Sequence, residues 1–70
     1  MTLKDAELGK EYIIKAVETG GDEEMENFLF SLGCYSGEMI TVVDRRKNLV
    51  VSIKDARYNI DSELASSIFV

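Results

Sequence analysis

The sequence predicts a mainly β fold: a small closed or nearly closed barrel of about five strands, with one α-helix between the first and second strands. Two observations point there. Short runs rich in Val, Ile and Tyr are separated by turn residues roughly every eight positions, the spacing of a small all-β domain. Only one longer segment repeats its apolar residues with the period of a helix. Closure is expected because open strand edges in so small a domain invite aggregation.

Thr2 followed by Asp5 reads as a capping box for one helical turn over Leu3 to Ala6, and Gly9 ends that opening. Glu11 to Val17, with Tyr12, Ile13, Ile14 and Val17, reads as the first strand. Gly20-Gly21-Asp22 breaks it. Asp22 is a good helix N-cap, and Glu23, Glu24 and Glu26 sit where the positive helix end favours carboxylates. Met25, Phe28, Leu29 and Leu32 fall at i, i+3, i+4 and i+7, so Phe28 is expected in the core. Gly33 directly after Leu32 is the expected left-handed helix end.

The second half reads as β. Glu38 to Asp44 alternates Met39, Thr41 and Val43 against Ile40 and Val42. Arg45-Arg46-Lys47-Asn48 reads as a polar turn, with Asn48 able to take a positive φ, and Leu49 to Ile53 as the returning strand. A turn at Lys54-Asp55-Ala56 leads to a short strand, Arg57 to Ile60. Asp61 or Ser62 can cap one more helical turn around Glu63 to Ala65, and Ile68-Phe69-Val70 closes the chain as a strand.

A chain of 70 residues makes one domain, residues 1–70, with a thin core and little surplus stability for a strained catalytic pocket. The formal net charge of -5 argues against nucleic acid and anionic lipid as partners, since both are bound through Lys and Arg. No apolar run is long enough to span a membrane, and Met1 to Asp5 show no export signal. With one cysteine, Cys34, no internal disulfide can form, and a reducing, cytoplasmic home is expected.

Catalysis finds no foothold. The chain has no His, and its carboxylates, lysines and tyrosines show no paired spacing for acid–base work. Gly20-Gly21 is no phosphate loop, because no Gly-Lys-Ser/Thr follows. Asp22, Glu23, Glu24 and Glu26 point in different directions from successive helix positions, so they read as a cap and a solvated face rather than a metal site. Cys34 lacks the partner ligands of a transition-metal site and reads as a small buried hydrophobe. No cofactor and no metal ligand are expected.

Read as one string, Gly9, Ile13, Gly20-Gly21-Asp22, Phe28-Leu29, Leu32-Gly33, Gly37, Ile40, Val42-Val43 and Asp61 through Val70 resemble the FeoA family. The centre of the match is Leu29-Phe30-Ser31-Leu32-Gly33-Cys34-Tyr35-Ser36-Gly37-Glu38-Met39-Ile40, similar to the family's helix end, "LG" corner and "G-x-x-I" strand start. Ala65-Ser66-Ser67-Ile68-Phe69-Val70 is similar to its closing "A-x-x-I-x-V". The chain departs from the pattern in three places. Glu26, Asn27 and Phe28 stand where the family often carries basic residues, Ser36 replaces a Pro, and Cys34 replaces an aliphatic residue.

The resemblance implies an SH3-like barrel and a cytoplasmic, non-enzymatic accessory of bacterial ferrous-iron uptake. Its implied partner is the membrane transporter FeoB, bound at its cytoplasmic GTPase portion. The same domain also occurs fused to metal-dependent repressors, and a free chain with its own Met1 is expected to be the transporter accessory. Phe30, about 200° around the helix from Phe28, and Tyr35 on the corner loop are the expected partner anchors. Arg45 and Arg46 are expected at an exposed turn tip, where they can orient an acidic partner. The rival reading is an SH3-like regulatory module that binds a metal-dependent repressor or a proline-rich segment, with Tyr12, Tyr35 and Tyr58 lining the groove. Direct iron carriage by the carboxylates is a third.

Overall fold

The computed structural model describes residues 1–70. A 3₁₀ turn, Leu3–Asp5, is followed by β1 (Glu11–Ile13), β2 (Ala16–Val17), α1 (Glu23–Leu32), β3 (Met39–Arg45), β4 (Leu49–Ile53), β5 (Ala56–Ile60), α2 (Ser62–Ser66) and β6 (Ile68–Phe69). All pairing is antiparallel, in a four-stranded sheet of order β1-β3-β4-β5 and a two-stranded sheet of β2 with β6.

The single strand expected over Glu11 to Val17 is therefore two, and the helix lies between β2 and β3. The cause is a change of partner. Tyr12 faces Ile40 across the large sheet, and the Ile14 amide still donates to Glu38 O at 2.8 Å. One residue later the Lys15 amide donates to Phe69 O at 2.7 Å, and Val17 is opposite Ile68. Ile14 is the pivot, buried at the junction of the two sheets. Strand pairing does not close the barrel: the two sheets remain separate ladders that share one core.

Within the large sheet the alternation of β3 is kept, with Ile40 and Val42 inside. A register shift between Val42 and Asp44 leaves Val43 as the extra residue of a bulge. β3 runs one residue further than expected, so Arg45 is opposite Leu49 as a strand residue and only Arg46 to Asn48 form the turn. Asn48 has no positive φ; Lys54 (φ 50) and Asp55 (φ 66) do, forming the two-residue loop that joins β4 to β5. Two consecutive positive φ values match the right-handed strand twist, as in a type I′ hairpin turn.

The helices follow local chemistry at their ends. The Met25 amide donates to Asp22 Oδ1 at 3.1 Å, and the Leu64 amide to Asp61 Oδ1 at 2.8 Å. The Thr2–Asp5 capping box does not form: Thr2 is extended, bridges Phe69 and makes no side-chain cap, so backbone bonds alone close the 3₁₀ turn. Leu3, Ile14, Leu29, Cys34, Ile40, Val42, Val51, Ile53, Ile60 and Ile68 form the fully buried centre. Each large aliphatic among them contributes about 1.5–3 kcal/mol by leaving water.

Candidate functional site

The end of α1 sets the geometry of an exposed aromatic surface. The Cys34 amide donates back to Leu29 O and the Gly33 amide to Phe30 O, both at 3.0 Å. Gly33 sits at φ 98, so this is the paired-bond, left-handed helix end expected of a glycine there. The reversal drives Cys34 into the core, where it is fully buried, and burial pushes its thiol from 9.0 to about 11. Cys34 is thus a packing residue, and its thiolate is suppressed rather than poised for chemistry.

The same reversal brings Tyr35 back beside Phe30. Their ring centroids lie 6.2 Å apart with the planes tilted by 56°. This is the edge-to-face range favoured by the ring quadrupoles. Phe30 is 39% exposed and Tyr35 43%, so the pair forms a surface ridge and not part of the core. Phe28, expected inside, is 45% exposed. Only Leu29 of α1 is fully buried, so the helix rests on a narrower stripe than its apolar period suggested, and Phe28 lies about 100° off that stripe.

Sequence reasoning missed Lys54 and Glu38 at this ridge. The Lys54 ammonium lies 5.3 Å from the Tyr35 ring centre and 3.4 Å from Glu38 Oε1. The Tyr35 side chain first, and Glu38 next, hold its pKa above the ordinary lysine value. No local pattern links a lysine in the β4–β5 turn to a tyrosine 19 positions earlier.

Arg45 and Arg46 are not brought to the ridge. They adjoin Leu49, whereas Lys54 follows Ile53 at the other end of β4, a distance of about 13 Å along the strand. Arg45 also turns its guanidinium inward, donating to Ala6 O at 2.7 Å and Leu3 O at 3.4 Å. Arg46 pairs with Asp44 at 3.5 Å and is well exposed.

The aromatic-lined groove of the rival reading is not assembled. Tyr12 and Tyr58 lie on β1 and β5, the opposite edges of the large sheet, and both pack against the core. The Tyr12 hydroxyl is already an acceptor for the Glu7 amide at 2.9 Å. An open groove of about 580 Å³ does lie along β1, where the exposed side chains of Ile13 and Met39 sit opposite one another between Lys10 and Lys15. The alternation of β3 put Met39 on the face opposite Ile40 and Val42, but nothing in the sequence set Ile13 across from it. No group of three or more carboxylate or thiol side chains converges as metal ligands would, and no helix is long and apolar enough to cross a membrane.

Solved structures of the same shape are known. A FeoA from Stenotrophomonas maltophilia, crystallised with zinc and described as a prokaryotic SH3 domain protein, superposes with a TM-score of 0.90 at 21% identity, covering 100% of this chain and 88% of that one. Iron(II) transport protein A from Clostridium thermocellum superposes at 0.83 and 24% identity, covering 97% of this chain and 43% of that one. A manganese-dependent transcriptional repressor superposes at 0.89 and 22% identity, with 100% of this chain covering 40% of the repressor. These likenesses show an SH3-like fold. No curated protein matches the sequence. The FeoA domain matches residues 1–70, so the chain belongs to the FeoA family of non-enzymatic accessory domains associated with ferrous-iron transport.

Proposed function

We propose that this domain acts in the cytoplasm as an accessory of ferrous-iron uptake, docking on the cytoplasmic portion of the membrane transporter FeoB and modulating its GTPase portion or its assembly. The observation that supports docking is the Phe30–Tyr35 ridge, two large rings held at a fixed angle and each about two-fifths exposed. Rigid aromatics that project from a polar surface lose little entropy on binding and are typical interface anchors. Arg45 and Arg46, at the far end of β4, serve as outlying charges that orient the encounter, with Arg46 the more accessible of the two. Titration of the isotope-labelled domain with the soluble cytoplasmic part of FeoB tests this. Amide shifts clustered over Phe30 to Glu38 support it, and their absence with and without nucleotide overturns it.

The rival expectation, a regulatory module acting on a metal-dependent repressor, shares this fold, which makes up 40% of a manganese-dependent repressor. Retention of such a repressor, but not of FeoB, on the immobilised domain would put it first.

A further inference from the structure

We propose that the surface docking on the Phe30–Tyr35 ridge is a basic amphipathic segment, with an apolar residue against the two rings and Lys or Arg residues along α1. This inference rests on the docking reading above and adds the chemistry of the partner. In α1, Glu26 lies four residues before Phe30, and Glu23 seven. Those spacings put both carboxylates on the helix stripe that ends at Phe30, about 6 Å and about 10 Å up the axis.

None of Glu23, Glu24 and Glu26 forms an ion pair within the chain, whose salt bridges are Lys10–Glu7, Arg46–Asp44 and Lys54–Glu38. The helix cap does not use them either, since Asp22 fills that role. α1 contains no basic residue, and the one cation at the ridge, Lys54, is already matched by Glu38. The stripe is therefore apolar at its C-terminal end and carries carboxylates without an ion-pair partner at its N-terminal end, on a chain of net charge -5. An acidic segment would meet repulsion here, and a neutral one would leave the carboxylates unpaired. A segment with one apolar anchor and cations one to two turns away would meet complementary charge along its length, and an arginine could also lie over a ring face.

The test uses two peptides of about 14 residues with the same apolar positions, one carrying Lys and Arg at its polar positions and the other Glu. The labelled domain is titrated with each, and separately with the cytoplasmic portion of FeoB, alongside Phe30→Ala and the double variant Glu23→Gln/Glu26→Gln. Circular dichroism checks that each variant is folded. The basic peptide should shift the amides of Glu26, Phe30 and Tyr35, and the acidic one should not. The double Gln variant should bind the basic peptide roughly three- to tenfold more weakly, and raising salt from about 0.05 M to about 0.5 M should reduce that difference. Equal binding of both peptides, or unchanged affinity in the double Gln variant, overturns the proposal. FeoB binding that Phe30→Ala weakens and the double Gln variant leaves intact keeps the docking reading and overturns only this inference. Basic-peptide binding without FeoB binding supports the inference and overturns FeoB as the partner.

Discussion

A side chain added at Gly33 would place its Cβ 3.3 Å from Cγ2 of Ile53, so the helix end is pressed directly onto β4. That approach, together with the left-handed backbone, locks the corner that sets Tyr35 beside Phe30. Gly33→Ala is expected to destabilise the domain by about 1–2 kcal/mol, from the positive φ alone, and further if Ile53 cannot shift. In a domain of this size each kcal/mol lowers the melting temperature by about 4–8 °C. An unchanged thermal midpoint would show that the corner is not under this constraint.

Cys34 makes the domain sensitive to alkaline pH. Its thiol titrates near 9.0 when unfolded and near 11 when folded, so between those values the unfolded chain holds fewer protons than the native one. Stability contributed by the buried neutral thiol is therefore complete below about pH 9 and is lost as pH rises towards 11, by about 1–3 kcal/mol. Urea unfolding across that range, compared with Cys34→Val, isolates the effect from the tyrosines and lysines. The wild type should lose more stability than the variant, and parallel curves would refute the assignment. At neutral pH a thiol reagent should modify Cys34 only at the rate of unfolding or local opening.

Phe30→Ala and Tyr35→Ala should separate binding from folding. Both rings are partly solvated, so each truncation is expected to cost about 1 kcal/mol of stability or less. Under the docking reading each should weaken capture of the cytoplasmic portion of FeoB by about 2 kcal/mol, roughly thirtyfold. Calorimetric titration of each variant supplies the comparison. Losses confined to stability would place the rings in structure, not recognition.

Arg45→Ala should loosen the N-terminus. Its guanidinium ties β3 to the carbonyls of Leu3 and Ala6, and hydrogen bonds from a charged group of this kind are worth about 1.5–3 kcal/mol when partly buried. Hydrogen exchange should quicken first at the amides of Asp5 and Ala6, which close the 3₁₀ turn. Arg46→Ala, which loses only an exposed pair to Asp44, should change stability by less than about 1 kcal/mol.

Elements whose determinants lie within one turn of the chain were legible. Asp22, the period from Met25 to Leu32 and Gly33 defined α1 at both ends, because N-cap, apolar stripe and left-handed terminus are all local interactions. The same holds for Asp61, one of the two caps expected for α2, and for the strand Leu49–Ile53. The Phe30–Tyr35 pairing was half legible: both residues stood out as candidate anchors, but their contact depends on the direction in which Gly33 turns the chain.

The remainder was decided by partners distant in sequence. Glu11 to Val17 has the composition of one strand, yet it divides at Ile14 because β3 and β6 compete for its backbone, and no residue within the segment announces that exchange. The inward turn of Arg45 needs carbonyls about 40 residues away, and the exposure of Phe28, Ile13 and Met39 reflects how little of α1, β1 and the start of β3 the rest of this small chain can cover. Where the helices start, stop and turn follows from local interactions that the amino-acid order carries within a few residues. Which faces are sealed and which stay open depends on the whole packed chain, because burial is not a local property.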